Sequence, residues 1–170
     1  LQGQDNFTLT EVVRNYDSVK DVTTVSSSPV QLSGPKDRYQ SLTFSVSYSY
    51  PGQTQTTPKE FNLELVSVVK ARTLNSDLYV VFVVDGKEIH FSSNRSAIRN
   101  PVRGKPWIGE RMVFQIPRED FIKLASANKL AVKLGGVSFD FADSHIRLLR
   151  LIIDPASDPS RPPQTSPHRL

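Results

Sequence analysis

The clearest pattern along the chain has period two. Leu42, Phe44, Val46, Tyr48 and Tyr50 alternate with Thr43, Ser45, Ser47 and Ser49. Such alternation marks a β-strand with one face buried and one in water, and Pro51-Gly52 closes it. Phe61, Leu63 and Leu65 repeat the pattern before Val66, Val68 and Val69 blur it. Residues 78–84 (LYVVFVV) are continuously apolar, as in a central strand covered on both faces. Asp85-Gly86 follows at once, and Ile89 and Phe91 resume the alternation beyond it. Asp-Gly between apolar runs is the strongest short-range hairpin signal. Further strands are expected over 22–25, 30–32 and 112–116.

The period changes after Ile116. Residues 117–127 (PREDFIKLASA) open with Pro, Glu and Asp and place Phe121, Leu124 and Ala125 at helical spacing. Residues 130–134 and 137–141 flank Gly135-Gly136 and form a second hairpin candidate. Residues 145–153 (HIRLLRLII) are apolar on most sides, which predicts a largely buried helix. Asp143 or Ser144 is the expected cap, and Pro155 the stop. The sum is eight or nine short strands followed by helices, which implies antiparallel sheets. The expected fold is mainly β: an antiparallel β-sandwich or strongly curved sheet with two short helices near the C-terminus.

Three segments follow. Residues 1–19 are a polar lead-in, either irregular or a short helix around Phe7, Leu9, Val12 and Val13. Residues 20–153 form a single β-rich domain. Residues 154–170 hold five prolines and few core-forming residues, so they are expected to be an extended, flexible tail or a linker. A domain of this size can bury roughly two-thirds of its unfolded surface without metals or disulfides. The order of strand, Asp-Gly hairpin, basic segment, strand, then DFIKLASANKLAVKLGGVSFDF and a closing LLRLI resembles uncharacterised bacterial secreted or lipoprotein-attached β-rich domains. The resemblance covers residues 20–153 and rests on core and turn positions. It implies an extracytoplasmic location but assigns no activity and no functional residue.

Charge changes the picture at one place. Residues 94–111 (NRSAIRNPVRGKPWIGER) carry Arg95, Arg99, Arg103, Lys105 and Arg111 against one acid, Glu110. The formal net charge of the whole chain is +4, so the remainder is balanced. The single tryptophan, Trp107, lies in the same stretch. Focused positive charge concentrates anions, and Trp and Arg are enriched at interface hot spots. Read as a long connection between strands, the stretch is a candidate binding loop. Arg99, Arg103, Lys105 and Arg111 would supply charge and Trp107 an apolar anchor. The expected partner is an anionic protein surface, a glycan or a lipid head group. Nucleic acid is not expected, because aromatics are not interleaved with the cations as in stacking platforms.

Catalytic and metal chemistry find little support. The chain has no cysteine, which removes thiol catalysis, disulfides and cysteine-ligated metals. Asp85, Glu88 and His90 cluster in DGKEIH, with Glu88 and His90 on one strand face, but a catalytic zinc site needs about three ligands. Asp140, Asp143 and His145 are better explained as a solvated strand residue, a helix cap and a first-turn residue. Serines abound, but the G-x-S-x-G turn is absent, and so are the phosphate-cradling glycine motifs. Asn6 and Asn94 match the glycosylation acceptor pattern, which matters only in a eukaryotic secretory pathway. Leu1 at the start is consistent with a removed signal peptide or tag. No cofactor is expected. The reading is a non-enzymatic extracytoplasmic binding or accessory domain. One alternative is a carrier of an apolar ligand in a cavity lined by Phe44, Phe61, Phe82 and Phe139. A hydrolase-type enzyme using His90 or His145 is the other.

Overall fold

The computed structural model describes residues 12–34, 39–70, 79–93 and 98–153. The chain folds into two antiparallel sheets with two helices. The strands are β1 (Val12–Asp17), β2 (Val22–Ser27), β3 (Val30–Gln31), β4 (Tyr39–Pro51), β5 (Glu60–Lys70), β6 (Tyr79–Val84), β7 (Lys87–Ser92), β8 (Ile98–Pro101), β9 (Trp107–Pro117), β10 (Leu130–Leu134) and β11 (Val137–Asp140). The helices are α1 (Arg118–Ala125) and α2 (Asp143–Ile153). The larger sheet runs β1-β2-β4-β5-β9-β8, with β3 also paired to β4. The smaller runs β11-β10-β6-β7. A bridge from Ser33 to Asp140 joins the two sheets at one corner, where the Asp140 N–H donates to the Ser33 carbonyl at 2.9 Å.

Register follows the alternation. Phe44 faces Leu65 and Val46 faces Leu63 across β4 and β5; Leu65 faces Met112 and Leu63 faces Phe114 across β5 and β9. All six are buried, while the intervening Ser45 and Asn62 are only partly covered. A one-residue slip would turn this whole set to water, so the core fixes the pairing. The second sheet meets the first through aromatic rings. Phe44 packs on Phe141 at 4.8 Å between centroids, and Phe82 on Phe141 at 6.2 Å.

Both turn predictions hold for a stated reason. Asp85 and Gly86 have φ of 48° and 85°, and Gly135 and Gly136 have 56° and 81°. Two successive left-handed residues make the turn whose twist matches a two-residue hairpin. Asp85 also accepts hydrogen bonds from the N–H groups of Asn128 and Lys129, at 3.0 and 2.8 Å. It thereby ties the β6–β7 turn to the segment that follows α1.

The helices close the core. Pro117 precedes α1, where its fixed φ costs nothing, and Phe121 stacks on Phe61 at 4.1 Å. Helix α2 buries Ile146, Leu148, Leu149 and Ile152. Arg150 of α2 donates to the carbonyls of Ala125 and Ala127 at the end of α1, satisfying acceptors that a helix terminus leaves open. The cap of α2 differs from expectation. Asp143 already lies in the first turn, and Ala142 holds the cap position, its carbonyl accepting from Ile146. His145, three residues on, accepts the Ala142 N–H through Nδ1 at 3.1 Å, the role a Glu or Gln plays in a capping box.

Two strands exceed the nine expected ones. β1 forms within the segment read as a lead-in, pairing residue by residue with β2 from Val12↔Ser27 to Asp17↔Val22. β8 forms within the segment read as a loop. Each ends the larger sheet and is exposed along most of its length, so neither carries a period-two signal. The tail at 154–170, residues 1–11, Arg95, Asn6 and Asn94 lie outside the described residues.

Candidate functional site

From Ile98 onward the basic stretch is a β-hairpin and not a long connection. β8 pairs with β9 through Ile98↔Arg111, Arg99↔Glu110, Asn100↔Gly109 and Pro101↔Ile108. The tip closes where the Lys105 N–H donates to the Val102 carbonyl at 3.1 Å and the Val102 N–H to the Trp107 carbonyl at 2.9 Å. Gly104 takes φ of 72° there, a conformation that side chains resist. Prolines at 101 and 106 flank the turn, and their fixed φ stiffens it.

This pairing divides the five candidate residues. Arg99 does not point at a partner. Its Nε donates to Glu110 Oε1 at 3.0 Å, and the Glu110 side chain is only 8% exposed. A carboxylate that far from water needs a cation beside it, so Arg99 is a structural lid on the sheet edge. Arg111 pairs with Glu64 at 2.5 Å across β5 and β9, and this contact raises its guanidinium pKa further. Arg103 and Lys105 are exposed at the tip with no carboxylate within ion-pair distance among the described residues. Trp107 is half-buried on the outer face, opposite Lys70 in register. The Lys70 ammonium sits 5.7 Å from the Trp107 ring centroid, within the range of cation–π attraction. Lys70 was not legible as a site residue, because only the β5–β9 register brings it to the hairpin. Ile98, also on the outer face, is 53% exposed.

The other clusters resolve into structural roles. On the smaller sheet, Glu88 takes a hydrogen bond from Lys133 at 2.7 Å and lies 3.5 Å from His90. Lys133, then His90, hold the Glu88 carboxyl below its ordinary range. Asp85 is committed to the backbone of Asn128 and Lys129. His145 is wrapped by Phe44 and Phe141, at 5.8 and 6.2 Å, and burial lowers its pKa. Among the described residues, no three His, Cys, Asp or Glu side chains gather closely enough to hold a metal. No helix among them is long and apolar enough to cross a membrane.

The aromatic set proposed for an apolar cavity is packed. Phe44, Phe61, Phe82 and Phe139 are each 2% exposed or less, and each rests on a neighbouring ring. A pocket of about 370 Å³ lies elsewhere, where β3 and β4 part near the Ser33–Asp140 bridge. Leu32, Tyr39, Leu42 and Phe139 form its apolar side, and Gln31, Ser33, Gln40 and Ser41 its polar side.

Comparison with known proteins is silent: no protein family, curated protein or solved structure matches the chain.

Proposed function

We propose that the protein is a non-enzymatic binding or accessory domain that meets an anionic partner through the tip of the β8–β9 hairpin. One observation carries this reading. Among the described residues, Arg103 and Lys105 have no carboxylate partner, on a turn held by two hydrogen bonds and flanked by prolines, while Arg99 and Arg111, on the strands of the same hairpin, are paired with Glu110 and Glu64. Within the described hairpin, the cations without a carboxylate partner are therefore those of the tip. A preorganised tip loses little conformational freedom on binding. Trp107 borders it with apolar surface, and Ile98 lies farther along the same outer face of the hairpin. An extracytoplasmic setting is part of the same proposal, resting on the resemblance described above.

Binding of immobilised heparin at low ionic strength tests the reading. Arg103→Ser with Lys105→Ser should weaken binding by about tenfold, two surface charge contacts of ordinary strength. Lys87→Ser with Lys123→Ser removes the same charge from other parts of the surface and should leave it intact. Equal weakening by the two pairs would mean that net charge alone matters, and no weakening by either would discard the hairpin. Arg99 is left out of the test because its loss would strand Glu110.

A further inference from the structure

Half of the exposed large apolar side chains lie on one hairpin. Among the described residues, Val13, Tyr16, Val19, Tyr79, Ile98 and Ile122 are the large apolar or aromatic side chains left open to water. The first three belong to β1 and the turn after it. β1 is also an outer strand of the larger sheet, and nothing among the described residues pairs with its far edge. Such an edge carries a row of backbone donors and acceptors that can take up another strand.

The other three sheet edges are blunted. β8 is four residues long, ends in Pro101 and spends Arg99 on Glu110. β11 is also four residues long, and the Asp140 N–H is taken by the Ser33 carbonyl. β7 carries Lys87, Glu88 and His90 at exposed positions. Shortness, proline and charge are the usual protections of an edge. β1 has six residues, no proline and no bulge, pairing residue by residue with β2. It is also held in place. The Tyr16 hydroxyl donates to Asp21 Oδ1 at 2.8 Å, and Arg14 donates to the Gln53 carbonyl and lies 5.5 Å from the Tyr50 ring centroid. Asp17 Oδ1 accepts the N–H groups of Val19 and Lys20 at 3.0 and 3.1 Å. A strand already ordered loses little freedom when it takes a partner.

The strand is complementary to itself. Arg14 and Tyr16 stand opposite the buried Val25 and Thr23 and so share the core side, while Val13, Asn15 and Asp17 share the outer side. A two-fold axis through Asn15 keeps both sides in register. It sets Arg14 opposite Tyr16 of the second copy, and Val13 opposite Asp17 of the second copy. A guanidinium beside a phenol ring is a favourable pair, and no like charges meet. An axis through Arg14 would oppose two guanidiniums, which is destabilising. With one Arg and one Asp the strand is formally neutral, so two copies do not repel along it.

We infer that β1 is a self-association edge: two copies of the chain pair antiparallel through residues 13–17 about a two-fold axis at Asn15, joining their larger sheets. A strand pair this short buries less than the ~1,200 Å² of stable complexes, so the dimer is weak and forms at high micromolar protein. β8 is the opposite edge of the same sheet, so the contact leaves both hairpin tips open, and the two readings stand or fall separately.

Sedimentation velocity of the full chain over a concentration series should show a mass rising from 19.0 kDa towards twice that value. Asn15→Lys sets two ammonium groups across the axis and should weaken association by about fivefold, with thermal stability unchanged in dilute solution. The chain has no cysteine, so single introduced cysteines report the register. Opposed Cα atoms in an antiparallel pair are ~4.5–5.5 Å apart, within disulfide reach. Asn15→Cys should therefore give a covalent dimer on mild oxidation. It should do so about tenfold faster than Val13→Cys, whose two copies would stand ~14 Å apart, or Ile122→Cys on α1. A monomer at up to about 1 mM overturns the inference. So does equal association of the parent and Asn15→Lys, or cross-linking at Val13 or Ile122 as fast as at Asn15.

Discussion

Gly34→Ala puts a methyl group into closer contact than a Cβ at Gly52, Gly86, Gly104, Gly109 or Gly136 would meet. A Cβ built at Gly34 lies 2.3, 2.8 and 3.0 Å from three carbons of the Phe139 ring. Ordinary contact begins near 3.4 Å, so ring and backbone must separate by about 1 Å. Phe139 has little room to yield: it is 2% exposed and wedged edge-on against Tyr39, whose hydroxyl is tied to Leu134. Overpacking of this kind costs about 1–3 kcal/mol. Opposing it, replacing glycine lowers the entropy of the unfolded chain, worth about 0.4–1 kcal/mol at a compatible backbone. The net expectation is a loss of about 1.3 kcal/mol, the difference between the middles of those two ranges. Urea denaturation reads this as a lower midpoint at unchanged slope. Phe139→Leu should cost stability by itself, and the double variant should be more stable than the sum of the two single losses, because the smaller side chain makes room for the methyl. If Gly34→Ala is neutral or stabilising, or if the two changes add without coupling, the packing argument fails.

Other consequences are simpler. Leu149→Ala removes a fully buried side chain from α2 and should cost about 2–5 kcal/mol by denaturant titration; less than about 1 kcal/mol would mean that α2 is not part of the core. His145 makes stability depend on pH. Its folded pKa is lowered from 6.5 by burial, so the unfolded chain binds the proton more readily. Stability should be full above pH 6.5 and fall as pH drops below it towards the depressed folded value, and protonation also removes the Nδ1 acceptor for Ala142. His145→Gln keeps an acceptor without the titration and should flatten thermal stability over that window; an unchanged pH profile would assign the dependence to other groups.

Most of the core was legible because it alternates. The run from Leu42 to Tyr50 has one buried face and one wet face, and Asp85-Gly86 and Gly135-Gly136 announce their turns chemically. β1 and β8 were not legible because edge strands bury neither face, so their sequences carry no period. The candidate site was legible as a concentration of charge but not as a geometry. Nothing local shows that Arg99 serves Glu110, eleven residues away, or that Arg111 serves Glu64, forty-seven away. Lys70 reaches Trp107 only through the register between β5 and β9. Arg150 and His145 likewise satisfy helix termini through partners that only the folded chain brings near.

The central claim is that the hairpin tip attracts anions through Arg103 and Lys105. The most direct measurement is the dependence of heparin affinity on salt concentration, for the parent and for the Arg103→Ser, Lys105→Ser variant. Screening weakens attraction between exposed charges, and each cation that releases a counterion adds roughly one unit or slightly less to the slope of log affinity against log salt. The account predicts a slope shallower by about one to two units in the variant, with both curves converging at high salt. Parallel curves of equal slope would contradict it.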